Sequence, residues 1–319
     1  MKEDRQDLTT GSIWGKMLFF SIPLMLTNLL QVLFNMADIA VIGQFAGALS
    51  LGAVGSTTTL VTLFTGVLIG MAGGINVLVA RYFGARDKTS TVHTIHTALL
   101  VSLITGIIVL AFGMIFSKGI LEIMNTKEEL LNGAVLYIRI YFLGMPALAL
   151  YNFGNAVCSA FGDTKKPLYY LSAAGVVNVV LNLFFVIVCK MDVAGVATAS
   201  IISQYLSAFL ILRALAKMGG DYALRLSELK FDKRMAKYII QIGLPAGLQN
   251  GIFQLANLFI QAGVNTFDAT MVAGNSAAAN ADALLYDSMA AFYTACGSFM
   301  GQNYGAGKRK RVKNSYLIS

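Results

Sequence analysis

Asp38 is an acid with no charged neighbour, set in the run LFNMADIAVIGQF. Asn28, Gln31, Asn35 and Asp38 recur at spacings of three, four and three. In a helix that spacing places them on one face. Farther along, Asn178 and Asn182 lie four apart in VVNVVLN, and Ser200, Ser203, Gln204 and Ser207 form a second polar stripe. With Asn155, these side chains offer one carboxylate and several amide and hydroxyl oxygens. Hard oxygen ligands suit Na⁺, or a proton on the carboxylate; zinc would ask for Cys and His. The expected chemistry is reversible cation binding at Asp38, Asn178 and Asn182, with no cofactor and no other metal. Two plainer readings compete: Asp38 as a helix cap or loop residue, and the asparagines as interhelical glue.

The rest of the chain offers less. Asn250, Gln254 and Asn257 repeat the seam without an acid. Asp282 and Asp287 are five apart and point about 140° from each other on a helix, so at most one easily faces a given cavity. With Asn28, Gln31 and Asn35, these five residues are the candidates for lining one. His93 and His96 read as solvated edge residues. No GxSxG nucleophile turn or HExxH occurs, and neither His has a Ser or Asp at catalytic spacing, so an enzyme is not expected. Cys158, Cys189 and Cys296 are scattered through apolar sequence, as buried small hydrophobes would be.

These residues need apolar helices to carry them. Only 13% of the 319 residues are charged, against about 25% in soluble domains, and the mean hydropathy is +0.68. About 20 apolar residues cross a bilayer as a helix. Such runs lie near 13–40, 48–79, 91–116, 130–155, 167–189, 193–214, 236–264 and 270–300. The net charge of +8 does not indicate nucleic acid, because Lys and Arg fall between the spans. They crowd the N-terminal flank, every second loop and the tail (Lys308, Arg309, Lys310, Arg311, Lys313), whereas the alternate loops carry only Lys118, Lys127 and Lys190. That asymmetry predicts a multi-pass protein of the cell membrane with a cytoplasmic N-terminus. Asp38, about 25 residues above the cytoplasmic start, would then sit roughly 37 Å up, near the outer side.

The sequence also repeats. Pro23 matches Pro245, Asn28 matches Asn250, Asn35 matches Asn257 and Gly52 matches Gly274, all at one offset; ARYFGAR then matches GQNYGAG one residue off register. Six spans separate the copies, so both enter the membrane in the same sense. The expected fold is an all-α membrane protein with a parallel six-plus-six helix repeat, two lobes around a central cavity. The lobes would be residues 1–216 and 236–319, joined by a cytoplasmic linker at 217–235. The second lobe would be incomplete, stopping as a ninth span begins, so the chain is expected to be a fragment. Pro23 and Pro245 remove a helix hydrogen bond at matching places and are candidate hinges.

The chain resembles the multidrug and toxic compound extrusion (MATE) family of efflux transporters. The resemblance rests on FSIPLMLTNLLQVLFNMADIAVIGQFAG, VARYFGARD, NAVCSAFGDTKKPLYY, NVVLN, AGVATASIISQ, GLPAGLQNGIF and FMGQNYGAGK. It implies export of small amphipathic organic cations in exchange for Na⁺ or H⁺ by alternating access, by a monomer in a lipid bilayer. The family's N-lobe acid falls on Asp38, its fifth-helix polar pair on Asn178 and Asn182, its sixth-helix hydroxyl on Ser200 and its fourth-helix Asn on Asn155. This chain departs from the pattern at Asn182, where some members carry Asp, and at Ser159, where Arg is frequent. Phe253 and Gln254 occupy the region of a seventh-helix acid found in some members. The alternative is a flippase for lipid-linked sugars from the same wider superfamily. A flippase would need several cations in its cavity, and Arg139 is the only basic residue within a span and away from its ends.

Overall fold

The computed structural model describes residues 7–219, 222–264 and 269–319. The flanking cations Lys2 and Arg5, and the end of the repeated stretch at 265–268, lie outside those residues. Ten α-helices and no strand occur among the described residues. They are α1 (Ile13–Phe45), α2 (Gly47–Gly84), α3 (Lys88–Ile123), α4 (Glu128–Phe142), α5 (Met145–Ala160), α6 (Lys165–Leu183), α7 (Asp192–Ala216), α8 (Lys233–Val264), α9 (Ala269–Gly305) and α10 (Arg309–Ile318). Among the described residues, α1, α2, α3, α6 with its π-helical extension Phe184–Val188, and α7 are each long and apolar enough to cross a membrane.

The run expected as one span at 130–155 is two helices, α4 and α5, bent by 46°. The chemistry lies in LGMP. Pro146 opens α5 and has no N–H to give to a continuing helix. The Gln204 amide oxygen fills the space where a Cβ on Gly144 would stand. Tyr205 donates its hydroxyl to the Leu143 carbonyl at 3.1 Å, satisfying a backbone acceptor at the break.

The repeat is visible in the elements themselves. The turn after α2 places Arg86 at φ 57°, with Arg86 N–H donating to Phe83 O and Asp87 N–H to Tyr82 O. The turn after α9 places Gly307 at φ 72°, with Gly307 N–H donating to Tyr304 O and Lys308 N–H to Asn303 O. Both are Schellman ends, which need a left-handed residue past the last turn. One copy supplies Gly, and the other holds Arg in the same strained region.

The two copies also meet. Asn76 of α2 donates its amide to Ser298 Oγ of α9 at 3.0 Å. The buried Asn76 amide also reaches Ala156 O of α5 at 3.1 Å. The helices can approach because both faces are small. Gly66, Gly70 and Gly74 of α2 face Asn250, Gly247 and Gly243 of α8, and a Cβ on Gly74 would lie 2.7 Å from Gly243 N. Apolar area gives no drive between helices in lipid, so such close backbone contact is what holds them.

Near the basic ends, an N-terminal strap of residues 7–11 is tied across the molecule. Leu8 N–H donates to Gln302 Oε1 at 3.0 Å, and Gln302 Nε2 donates to Ala160 O at 2.7 Å. Arg311 of α10 donates to Gly11 O, Leu8 O and Thr10 O, and to Asn303 Oδ1. Leu8 itself is buried with Phe20, Phe299 and Ala295. Burial pushes the Asp7 carboxyl up, but bonds from Thr9 and the charges of Lys16 and Lys308 outweigh it and hold the group below its usual value. Arg311→Ala removes four hydrogen bonds from this clasp and should free the strap. Hydrogen exchange at the Leu8 amide should then run several-fold faster than in the parent, while α10 keeps its helical signal.

The segment before α8 is docked as well. Asp232 N–H donates to Thr97 Oγ1 at 3.0 Å, and the Asp232 carboxylate stands 3.9 Å from His93 Nδ1. His96 is buried, so the solvated edge expected for both histidines holds only for His93.

Candidate functional site

Asp38 lies inside α1, seven residues before its end, and is 8% exposed. It is neither a helix cap nor a loop residue. α1 carries it against α6 and α7, and three side chains close a ring around the carboxylate. Asn182 of α6 donates its amide to Asp38 Oδ1 in a very short contact. Ser200 of α7 donates its hydroxyl to Asp38 Oδ2 at 3.2 Å. Asn182 Nδ2 also reaches Asn178 Oδ1 at 3.2 Å, and Asn178 Nδ2 reaches Ser200 Oγ at 3.5 Å. All four residues are buried.

Local sequence explains the arrangement. Asn178 and Asn182 are one helical turn apart on α6, so both amides project to one side. Gly175, one turn earlier, leaves room for the Phe34 ring of α1, which fills the space a Cβ would take. That contact lets α1 lie close to α6 at the level of the ring.

A buried carboxylate is costly unless it is neutralised or hydrogen-bonded. Here it has two donors and no cationic partner: among the described residues no Lys, Arg or His forms an ion pair with it. The ring is also richer in acceptors than in donors. Asn182 Oδ1 is buried without any hydrogen-bond partner. Asp38, Asn178, Asn182 and Ser200 therefore present several oxygens to one point, a composition suited to a hard monovalent cation or to a proton on Asp38. The stacked rings of Tyr137 and Tyr141, with centroids 5.9 Å apart, wall this region from α4 and lie within electrostatic reach of Asp38. Sequence reasoning passed over them; their spacing of four on the helix holding Arg139 was the available signal.

The other candidates are placed differently. Asn155 is half-buried on α5, and its Oδ1 has no hydrogen-bond partner; it does not bond to the Asp38 ring. The seam of α1 splits. Asn28 turns to the opposite half, donating to Asp287 O of α9 at 3.0 Å, whereas Gln31 is half-buried and Asn35 exposed. Asn250, the repeat equivalent of Asn28, donates to Gly66 O of α2 at 3.3 Å. Asn28 and Asn250 thus hold the halves together rather than simply facing a cavity, and they do so as a symmetric pair. Gln254 is half-buried, while Asn257 and Asp282 are exposed and Asp287 half-buried. Phe253 and Tyr286 stack at 5.5 Å between α8 and α9. Pro23 and Pro245 lie within α1 and α8, whose helical assignment runs through them unbroken.

Comparison with known proteins is consistent with this geometry. Residues 23–184 and 245–319 match the family described as MatE, in two blocks that correspond to the repeat. The chain is 32% identical over 312 residues to the "probable multidrug resistance protein YpnP" of Bacillus subtilis, covering 96% of this chain and 68% of that protein. It is 26% identical to the "probable multidrug resistance protein YoeA" of the same organism, over 97% of this chain and 68% of that protein. Among solved structures, the outward-facing conformation of a multidrug resistance MATE family transporter of the MOP superfamily superposes with a TM-score of 0.89 at 25% identity, covering 98% of this chain and 69% of that one. The chain therefore spans about two thirds of the length of these relatives. The flippase reading finds no support among these findings. The matched blocks, the relatives and the fold agree: this chain belongs to the MATE family of membrane transporters.

Proposed function

We propose that the chain forms the ion-coupling part of an efflux antiporter that exports small amphipathic cations in exchange for Na⁺ or H⁺. The observation that carries the reading is the ring of Asn182, Asn178 and Ser200 around a buried, unpaired Asp38. A carboxylate so placed is stable when it carries one positive charge, as a proton or as Na⁺ shared with the neighbouring oxygens. Emptied of that charge, it favours rearrangement of its helices or attraction of a cationic cargo. Differential stability of loaded and empty states is what alternating access requires.

The ring holds a single acid, because Asn182 stands where a second could be. One monovalent cation per ring is the stoichiometry that follows. The lobes are residues 1–216 and 236–319 with the linker between them, the N-terminus faces the cytoplasm, and Pro23 lets α1 flex as Asp38 is loaded and emptied. Asn155 completes the polar wall when the cavity fills. The protein acts as a monomer.

The experiment is dye efflux from proteoliposomes with an imposed Na⁺ or H⁺ gradient. Ser200→Ala removes one hydroxyl oxygen from the ring, together with the hydrogen bond it donates to the empty carboxylate. With Na⁺ as the coupling ion, loss of that oxygen ligand should raise the half-saturating Na⁺ concentration roughly tenfold, with maximal efflux little changed. No dependence on either gradient in the parent protein would reject the antiport reading.

A further inference from the structure

The lead helix of the second half, α8, starts beside an open groove of about 480 Å³. Its lining is Phe231, Lys233, Ala236, Lys237, Ile240 and Gln241. Lys233 and Lys237 are one helical turn apart and exposed, and neither forms an ion pair or a hydrogen bond with another described residue. The nearby cation Arg234 is used differently. It points the other way, 5.8 Å over the Tyr238 ring. Asp232, the nearest acid in sequence, is turned to the start of α8, where its carboxylate accepts from Arg234 N–H and Met235 N–H. Two cations are therefore left side by side over a groove.

The apolar part of the groove continues along α8. Phe231 is 50% exposed and Ile240 43%. Leu244 and Leu248 follow Ile240 at single-turn spacing and are also exposed, extending one apolar track along the same helix face. Two exposed lysines thus stand at the end of an apolar track that runs along one face of α8.

We infer that this groove is a binding site for an anionic glycerophospholipid of the inner leaflet. Its phosphate lies between Lys233 and Lys237, Gln241 donates to the headgroup, and an acyl chain runs over Phe231, Ile240 and Leu244. The inference rests on the orientation proposed above, which puts this end at the cytoplasmic face. Charge complementarity selects the occupant, since the cytoplasmic leaflet is the anionic one. Such a lipid would brace the start of α8 at the helix that also carries Pro245.

The test needs no transport and so stands apart from the antiport reading. The purified protein in neutral detergent is titrated with phosphatidylglycerol or phosphatidylcholine of identical acyl chains, and bound lipid is counted by native mass spectrometry. The parent should retain phosphatidylglycerol preferentially. Lys233→Gln with Lys237→Gln should weaken that retention roughly thirtyfold, whereas Lys310→Gln with Lys313→Gln, equally basic but away from the groove, should not. Soluble glycerophosphate should fail to compete, which separates a lipid from a free phosphate. Equal retention of both lipids, equal loss in the control variant, or competition by glycerophosphate would overturn the inference.

Discussion

Asp38→Asn should abolish gradient-driven efflux while leaving the protein folded. The substitution keeps the shape of the side chain, and Asn182 and Ser200 can still donate to its remaining oxygen. What disappears is the charge. A carboxylate about 4 Å from a monovalent cation contributes of the order of 4 kcal/mol at an effective dielectric constant near 20, so cation affinity should fall by about a thousandfold. Transport then drops to the protein-free background at any practical Na⁺ or H⁺ gradient. A second readout separates this from simple misfolding. Adding Na⁺ should raise the melting temperature of the parent if Na⁺ is the coupling ion, because a ligand bound only by the native state stabilises it, and it should leave Asp38→Asn unmoved. Efflux that persists unchanged in Asp38→Asn would remove Asp38 from the mechanism.

Gly74→Leu should be strongly damaging where the two halves meet. Any Cβ there would lie 2.7 Å from Gly243 N and 2.9 Å from Gly243 Cα. Those are backbone atoms, which cannot rotate away as a side chain can, so α2 and α8 must separate. Forcing volume into a filled site costs about 1–3 kcal/mol and sometimes more, and here the loss extends to neighbouring contacts at Gly70 and Gly247. Gly73 is its control. A Cβ on Gly73 meets nothing within 4 Å, so Gly73→Leu should express and purify like the parent. Size-exclusion profiles and thermal melts of the two variants give the comparison; similar behaviour would mean that the α2–α8 approach does not hold the halves together.

Much of this was readable from residue types and spacing. Apolar runs located the helices to within a few residues because lipid admits no other backbone pairing among such segments. Asp38, Asn178, Asn182 and Ser200 were separately identifiable, since an acid or amide in an apolar helix has few neutral explanations. That Asp38, Asn178 and Asn182 share one site was expected; which hydrogen bonds close it was not, because they depend on how α1 packs on α6, where the Phe34 ring fills the space over Gly175. The break between α4 and α5 was announced by Gly144 and Pro146 but hidden inside an otherwise continuous apolar run. The stripes Gly66, Gly70, Gly74 and Gly243, Gly247, Gly251 were plain in the sequence as small residues every fourth position. Nothing local said that one stripe faces the other. The α1 seam misled for a related reason: polar residues on one helix face need not share a partner, and Asn28 faces α9 while Asp38 faces α6.

A Cβ on Gly84 would meet the Gln302 backbone and one on Gly305 the Arg81 backbone, two contacts that exchange under the repeat, and the bond between Asn76 and Ser298 lies on the same seam. Reciprocal contacts of that kind are the mark of an isologous interface, as in a twofold dimer of identical subunits. In such a dimer any substitution on the axis is felt twice, and the residue must be complementary to itself. Tethering both copies in one polypeptide lifts that restriction. One copy can carry Arg81 where the other carries Gln302, so the seam can be tuned asymmetrically, one member at a time.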